Sequence, residues 1–559
     1  MTQQADIIIE GAPVYGEPAA PHGADAVAIG GGRILAAGRS TELIAQHGPA
    51  KRVIRLAGGC IIPGLIDGHA PLDREGLKTI WPSLDGANDK PAVLERIAEI
   101  AARTLPGEWI VTMPLGGGPG YAGIDGFLDG GLPDRWELDA AAPENPVYIC
   151  SIWGCWRPKP PLVSIANSRA LALAGVDRHT RPPSPLVTIV RDNRNGEPNG
   201  VFLEDTTMPI VELTLMACAL HFTPEQRVEA LARSMSIYNG FGTTGIYEGH
   251  GASPALVEAY RQLGARNGHS VRARLTFSPS WSGQDLTMAS QLVADWAQSL
   301  RKRGSDSHLM TMDGFYAEID ETRGNWVRAP AAPQTGWAGF NYDCGLPREQ
   351  LKQVLVEAAR NRLQVSCIFA AIPPLFEEIH KIAPIDGLRW AWGHIGVVSD
   401  DEIRRACDLG LVVVTHTNRH IGRQGSLHRA RLGVEQQDTI VPLRKLLDAG
   451  VLVSFGSDNV PPSLWNPVSH AVSRRDGFTG EVIAPLQKLS RAEALYCATW
   501  NAAYLCGQEA ETGSIEAGKR ADIVVLDRDY MSVPEEEIPA IRAQWVICDG
   551  SVVLEPPTA

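Results

Sequence analysis

No stretch of this 559-residue chain is apolar over the roughly 20 residues that a membrane-spanning helix requires, and the start, Met1-Thr2-Gln3-Gln4-Ala5-Asp6, has no basic-then-apolar leader. Basic charge is also short: 51 Lys and Arg face 64 Asp and Glu, a net −13, which argues against nucleic acid as a partner. Cysteines number ten but lack paired spacing. The closest two, Cys150 and Cys155, have no zinc-knuckle companions, so reduced, buried thiols in a cytoplasmic protein are expected. Aromatics make up only 6% of the chain, although Trp (14) outnumbers both Phe and Tyr. The remainder, 44% hydrophobic and 21% charged, is ordinary globular composition, and the length suits one large domain with a smaller one.

The most informative stretch is GGCIIPGLIDGHAPL, residues 58–72. An apolar run meets the Pro63-Gly64 turn signal, resumes as a buried strand, and delivers His69 at the strand end. The two chain ends share a different grammar. Apolar runs broken by Gly clusters, at 5–11 and 26–38 and again at 513–527 and 543–550, read as short strands and hairpins. Both ends are therefore expected to form one small β-sandwich domain, residues 1–57 with 506–559, with everything between inserted into it.

From 58 to 505 strand patterns alternate with helical ones, as in βα units. Residues 108–113, 146–150, 241–248, 363–368, 411–415 and 451–455 read as strands, and Pro224 to Tyr238 and Pro347 to Asn361 as helices. The expected class is α/β, a (β/α)₈ barrel whose functional groups sit at the C-terminal strand ends, where His69, Glu248 and Asp458 all fall. The Pro- and Gly-rich stretch from about 72 to 200 resists element assignment and reads as an insertion after the first barrel strand.

These features together resemble the amidohydrolase superfamily, specifically the amidohydrolase 3 branch of YtcJ-like proteins and N-substituted formamide deformylases. The residues carrying the resemblance span nearly the whole chain: PGLIDGHAP at 63–71, Asn167-Ser168, Gly242-Thr243-Thr244, Asp313-Gly314, Trp392-Gly393-His394, Phe455-Gly456-Ser457-Asp458, and GSIEAGKRADIVVLD at 513–527. The resemblance implies a divalent metal site built from a His-x-His pair, a bridging Lys, a His on each of strands five and six, and an Asp on strand eight. His69, His394 and Asp458 match three of these positions. Pro71 stands for the second His, Leu309 for the Lys and Ile368 for the strand-five His, and none of these side chains can donate to a metal.

Catalysis is accordingly expected from Asp458, His394 and His69 by acid–base chemistry, with no metal cofactor. The alternative is a single Zn²⁺ held by His69, Asp458 and a recruited ligand such as His394, His250 or His416. Substrate contacts are expected from Glu248 and His250, which face one way if their strand stays extended, from His416, and from Trp153 and Arg157 in the divergent stretch before Asn167. Cys367 is one residue off the strand-five position and should point away from the pocket. The activity implied is hydrolysis of a small organic molecule: an activated or cyclic amide, an imide, an ester, or a C–C bond next to a carbonyl. A non-catalytic binding scaffold is the reading from another class. No partner beyond the small-molecule substrate is implied, and a homodimer is only the base-rate expectation.

Overall fold

The computed structural model describes residues 3–16, 23–117, 131–151, 161–206, 209–219, 222–281, 285–303, 308–320, 339–341, 343–368 and 372–557. Its centre is a parallel sheet of eight strands in chain order: β1 (Leu65–Asp67), β2 (Thr243–Ala252), β3 (Arg272–Phe277), β4 (Met310–Ile319), β5 (Val365–Ile368), β6 (Ala391–Gly393), β7 (Val412–Thr415) and β8 (Leu452–Phe455). Each pairs with the next in parallel register. Between β8 and β1 the sheet is stitched by Gly68 N donating to Phe455 O at 2.8 Å. The result is a nearly closed α/β barrel. Because helices cover the outside and side chains fill the inside, strands such as VVVT and LVSF are near-continuous apolar runs.

The helices begin and end where local chemistry dictates. Thr223 accepts from Gln226 N while the Gln226 side chain returns to the Thr223 backbone, and Pro224 takes the first turn of helix Pro224–Gly240. Helix Leu443–Asp448 stops at Ala449-Gly450, where Gly450 adopts φ +80° and turns the chain into β8.

The stretch that resists reading in the sequence folds as a separate sheet. Its five strands run in the order Val187–Arg191, Pro198–Glu204, Leu162–Ala166, Val147–Ile149, Ile110–Thr112. The strand patterns at 108–113 and 146–150 thus belong to this second sheet and not to the barrel. Their pairing is parallel, the same local signal that a barrel unit leaves.

Both chain ends contribute to two four-stranded sheets, Arg33–Gly38/Ala26–Gly30/Ile7–Glu10/Arg52–Arg55 and Ser551–Leu554/Ala543–Cys548/Ile523–Leu526/Cys60–Pro63. They share an apolar core of Ile7, Ile9, Val27, Ile29, Ile61, Ile523, Val525 and Ile547, among others. Cys60–Pro63 runs straight into β1, so the strand that carries His69 is anchored at its start to the terminal sheets. A second anchor is ionic. Arg272 at the start of β3 donates through Nε and Nη2 to the two carboxylate oxygens of Asp522, both at 3.1 Å, and the pair is buried. Arg272 also meets Asp549 Oδ1 at 3.4 Å, so losing the Asp522 charge weakens the anchor without stranding the guanidinium. Asp522→Asn should lower stability by about 1.5–3 kcal/mol, seen as a lower urea midpoint with an unchanged far-UV spectrum under native conditions.

Candidate functional site

His69 follows β1, His250 lies near the end of β2, His394 follows β6, His416 follows β7 and Asp458 lies three residues beyond β8. The barrel carries all five to one end. His69 Nε2 is 3.2 Å from His394 Nε2 and 3.8 Å from Asp458 Oδ1. The His416 ring lies 4.3 Å from that of His394 and 4.9 Å from that of His69, centre to centre, and the His250 ring 5.5 Å from that of His69. One ligand nitrogen each from His69, His250 and His394 falls within a 4.8 Å group.

Backbone geometry shows how tightly this end is built. His394 (φ +56°), Asp458 (φ +52°) and Asn459 (φ +59°) all adopt the left-handed conformation that side chains disfavour. Gly456 is required by space: a Cβ there would stand 2.6 Å from both His416 Cε1 and His69 Cβ. The Asp67 carboxylate joins the two loops, its Oδ1 accepting from His69 N at 3.1 Å and from Ser457 N at 3.0 Å.

Three of the histidines are pushed toward the neutral form. Burial, and then the neighbouring His416, keep His69 well below the usual imidazole value. The same causes act on His394, with His69 and the Arg419 guanidinium adding to them. Burial lowers His416 as well. His416 Nδ1 meets the Gly456 carbonyl at 2.9 Å. A carbonyl only accepts, so Nδ1 carries the proton and Nε2 keeps its lone pair; Nε2 is buried with no hydrogen-bond partner.

Sequence reasoning misplaces some groups and misses others. Glu248 does not join His250. A register shift between Glu248 and Ala252 breaks the alternation of β2, and the Glu248 carboxylate instead accepts from Leu72 N at 3.3 Å and Tyr260 Oη at 3.4 Å. Burial, with Asp73 nearby, raises its carboxyl well above the usual range. Leu309 lies just before β4, where its carbonyl accepts from Ala273 N, and the adjacent His308 pairs with Asp549 of the C-terminal sheet. That is the opposite end of the strand from the histidines. Asp313 is likewise engaged, by Arg274 at 2.7 Å. Ile368 closes β5 against Tyr316 and Cys344, and Cys367 points into the outer core, where burial pushes its thiol up. Trp153 and Arg157 lie outside the described residues.

Three neighbours carry no motif. Phe340 stacks on His250 at 4.2 Å with 5° between ring planes. It is placed by Ser253 N donating to Gly339 O and by Asn341, which bonds Ser278 through both its backbone and its side chain. Arg74, 3% exposed, sits in the short helix Asp73–Leu77 with its guanidinium 5.9 Å from the Phe340 ring centre, and its charge helps depress His69. Arg419, within the turn that follows His416, donates Nη1 to His394 Nδ1 at 3.3 Å. Only that helical spacing hinted at it.

The amidohydrolase family pattern matches residues 52–554. The chain belongs to the amidohydrolase family. It is 25% identical to N-substituted formamide deformylase of Arthrobacter pascens, covering 98% of each chain. It is 23% identical to YtcJ of Bacillus subtilis strain 168, covering 95% of this chain and 96% of that one. Among solved structures, an uncharacterized metal-dependent hydrolase from Pyrococcus horikoshii superposes with a TM-score of 0.67 at 19% identity, covering 95% and 99% of the two chains, a likeness of fold. The YtcJ-like branch and the α/β barrel read from the sequence both hold. No described helix is long and apolar enough to cross a membrane.

Three histidines with depressed values, His69 and His416 buried and His394 half-buried, stabilise the fold only while neutral. Their contribution is complete above the unfolded-state value of about 6.5 and is lost as the pH falls below it. The urea midpoint should therefore drop between pH 6.5 and pH 5, and His416→Asn should flatten that drop.

Proposed function

We propose that this amidohydrolase is a single-metal hydrolase of a carbon–nitrogen bond in a small amide, with N-substituted formamides the first class to test. The observation that carries the reading is the convergence of His69, His250 and His394 in one group. Two nitrogens bound to a tetrahedral zinc stand roughly 3.3–3.4 Å apart, given Zn–N of about 2.0–2.1 Å; His69 Nε2 and His394 Nε2 are 3.2 Å apart. The family relationship and the deformylase relative support the bond type.

His69, His250 and His394 would hold the ion, and Asp458 lies beside them. When bound, a divalent ion supplies Lewis-acid activation of water and of the amide carbonyl. Asp458 is placed to take a proton from the attacking water and return it to the departing nitrogen, so that amide plus water gives acid plus amine. His416 Nε2, fixed as an acceptor, orients the water or the amide N–H. Arg74 adds a permanent positive charge beside His69, suited to the oxygen that gains negative charge as the carbonyl is attacked. Phe340 holds His250 in plane and walls the pocket with an apolar face.

A metal-free reading, with Asp458 and the histidines as the whole proton-transfer machinery, draws on one contact. Metal-bound histidines ordinarily donate their second nitrogen to an acceptor, whereas His394 Nδ1 receives a donor from Arg419. Elemental analysis separates the two. The single-metal reading expects one equivalent of a transition metal per chain, loss of deformylation on chelation, and loss of the metal in His250→Ala. A metal-free protein that keeps full activity in chelator would sink it. Under either reading Asp458→Asn should lower kcat by about 10²–10⁴-fold. Arg74→Met should lower kcat by about 10²–10³-fold while leaving metal content unchanged.

A further inference from the structure

The five-stranded sheet carries a group of polar side chains that the reaction does not use. Strand register assembles it. Tyr148 lies opposite Ala166, Ser164 opposite Phe202, and Glu204 opposite Leu162. Since side chains alternate along a strand, Tyr148, Ser164 and Glu204 project from one face. That face is otherwise apolar, packed by Val111, Phe202, Ile210 and Val211. The short helix Ile210–Leu213 closes over it, fastened by Val211 N donating to Glu204 Oε1 at 2.9 Å, and this helix carries Glu212. Ser151 follows the strand Val147–Ile149.

Five oxygens of this group, Glu204 Oε2, Glu212 Oε2, Tyr148 Oη, Ser151 Oγ and Ser164 Oγ, are buried and none meets a partner in good hydrogen-bond geometry, although Ser151 lies beside the Glu204 carboxylate and Ser164 beside the Tyr148 hydroxyl. None of the five residues is more than 7% exposed. One such oxygen is an ordinary imperfection, but five, three from the sheet face and the others from the covering helix and the strand's end, two of them carboxylate, are not what an apolar layer tolerates unless something is bound among them.

We propose that this face binds a hard divalent cation of the calcium class, held by the Glu204 and Glu212 carboxylates with the Ser151, Ser164 and Tyr148 hydroxyls as neutral donors. The donor set is all oxygen, which suits calcium and disfavours the borderline metals that imidazole prefers. Two carboxylates balance a 2+ charge, so the occupied site is neutral and can stay buried. With no ion present, burial pushes both carboxyls up to about 8, and the charge of Glu204 contributes to the shift of Glu212. The ion-free site then carries protons at neutral pH, and cation binding must release them. Affinity should therefore rise with pH.

The test is a titration of the full-length protein with terbium, a hard ion whose emission is excited through nearby tyrosine and tryptophan; Tyr148 and the adjacent Trp81 and Trp109 serve. Saturable emission displaced by calcium is expected at pH 8.5. Binding should weaken by up to about 100-fold per pH unit well below 8, as two protons compete. Calcium should also raise the thermal midpoint. Glu212→Gln, which leaves the Glu204 bond to Val211 in place, should abolish both effects, whereas Asp458→Asn should keep them. The wild-type titration decides even if the Glu212 variant fails to fold. Absence of calcium-displaceable terbium emission and of any calcium shift in the midpoint at pH 8.5 would overturn the proposal and leave a proton-sharing carboxyl pair. Emission that survives in a folded Glu212→Gln variant would overturn it too.

Discussion

The histidine end of this barrel depends on one buried carboxylate. Asp67 ends β1 and accepts from the backbone N–H of His69 on its own strand and of Ser457 after β8. Gly68 N to Phe455 O and Asp458 N to His69 O, at 2.8 and 3.1 Å, complete the stitch. These bonds join the first strand to the last, where the sheet would otherwise stay open, and hold His69 and Asp458 face to face. Burial pushes Asp67 up to about 7, the cost of placing a carboxyl where no water reaches it. The left-handed backbone at Asp458 and Asn459 is held by the same network: Asn459 Nδ2 donates to Pro71 O at 2.6 Å and its Oδ1 accepts from Tyr238. Strain concentrated at the seam of the barrel is what a preorganised site requires.

The seam also makes sense of Pro71. A proline two residues after His69 has no donor nitrogen, but its carbonyl anchors Asn459 and its ring precedes the helix that brings Arg74 beside His69. The position serves as a backbone anchor. Apolar and aromatic groups adjoin the histidines: Phe340 and Tyr316 lie against His250, and Ile368 packs with Tyr316.

Much of the fold was legible because its signals are local. The βα alternation, the Ala449-Gly450 helix end and the buried β-strands of the barrel each show within a few residues of sequence. His69, His394 and Asp458 were legible as well, since each closes a strand inside a recognisable string. The errors came where local pattern and global placement part. The strands at 110–112 and 147–149 have barrel-like composition yet pair in a second sheet. Glu248 and His250 sit two apart on one strand but face different ways, because a register shift intervenes.

The sequence by itself determined the family and the barrel and named His69, His394 and Asp458 as candidates at one barrel end, because apolar periodicity and short strings survive where overall identity has fallen to about a quarter. Only the tertiary structure decided what surrounds them. His250, Arg74, Phe340 and the turn that carries His416 and Arg419 come from four separate segments, and no spacing along the chain states that they meet. Their meeting follows from barrel closure, which brings strand ends together whatever their distance in sequence, and that closure rests on long-range hydrogen bonds at Asp67 that no local pattern encodes.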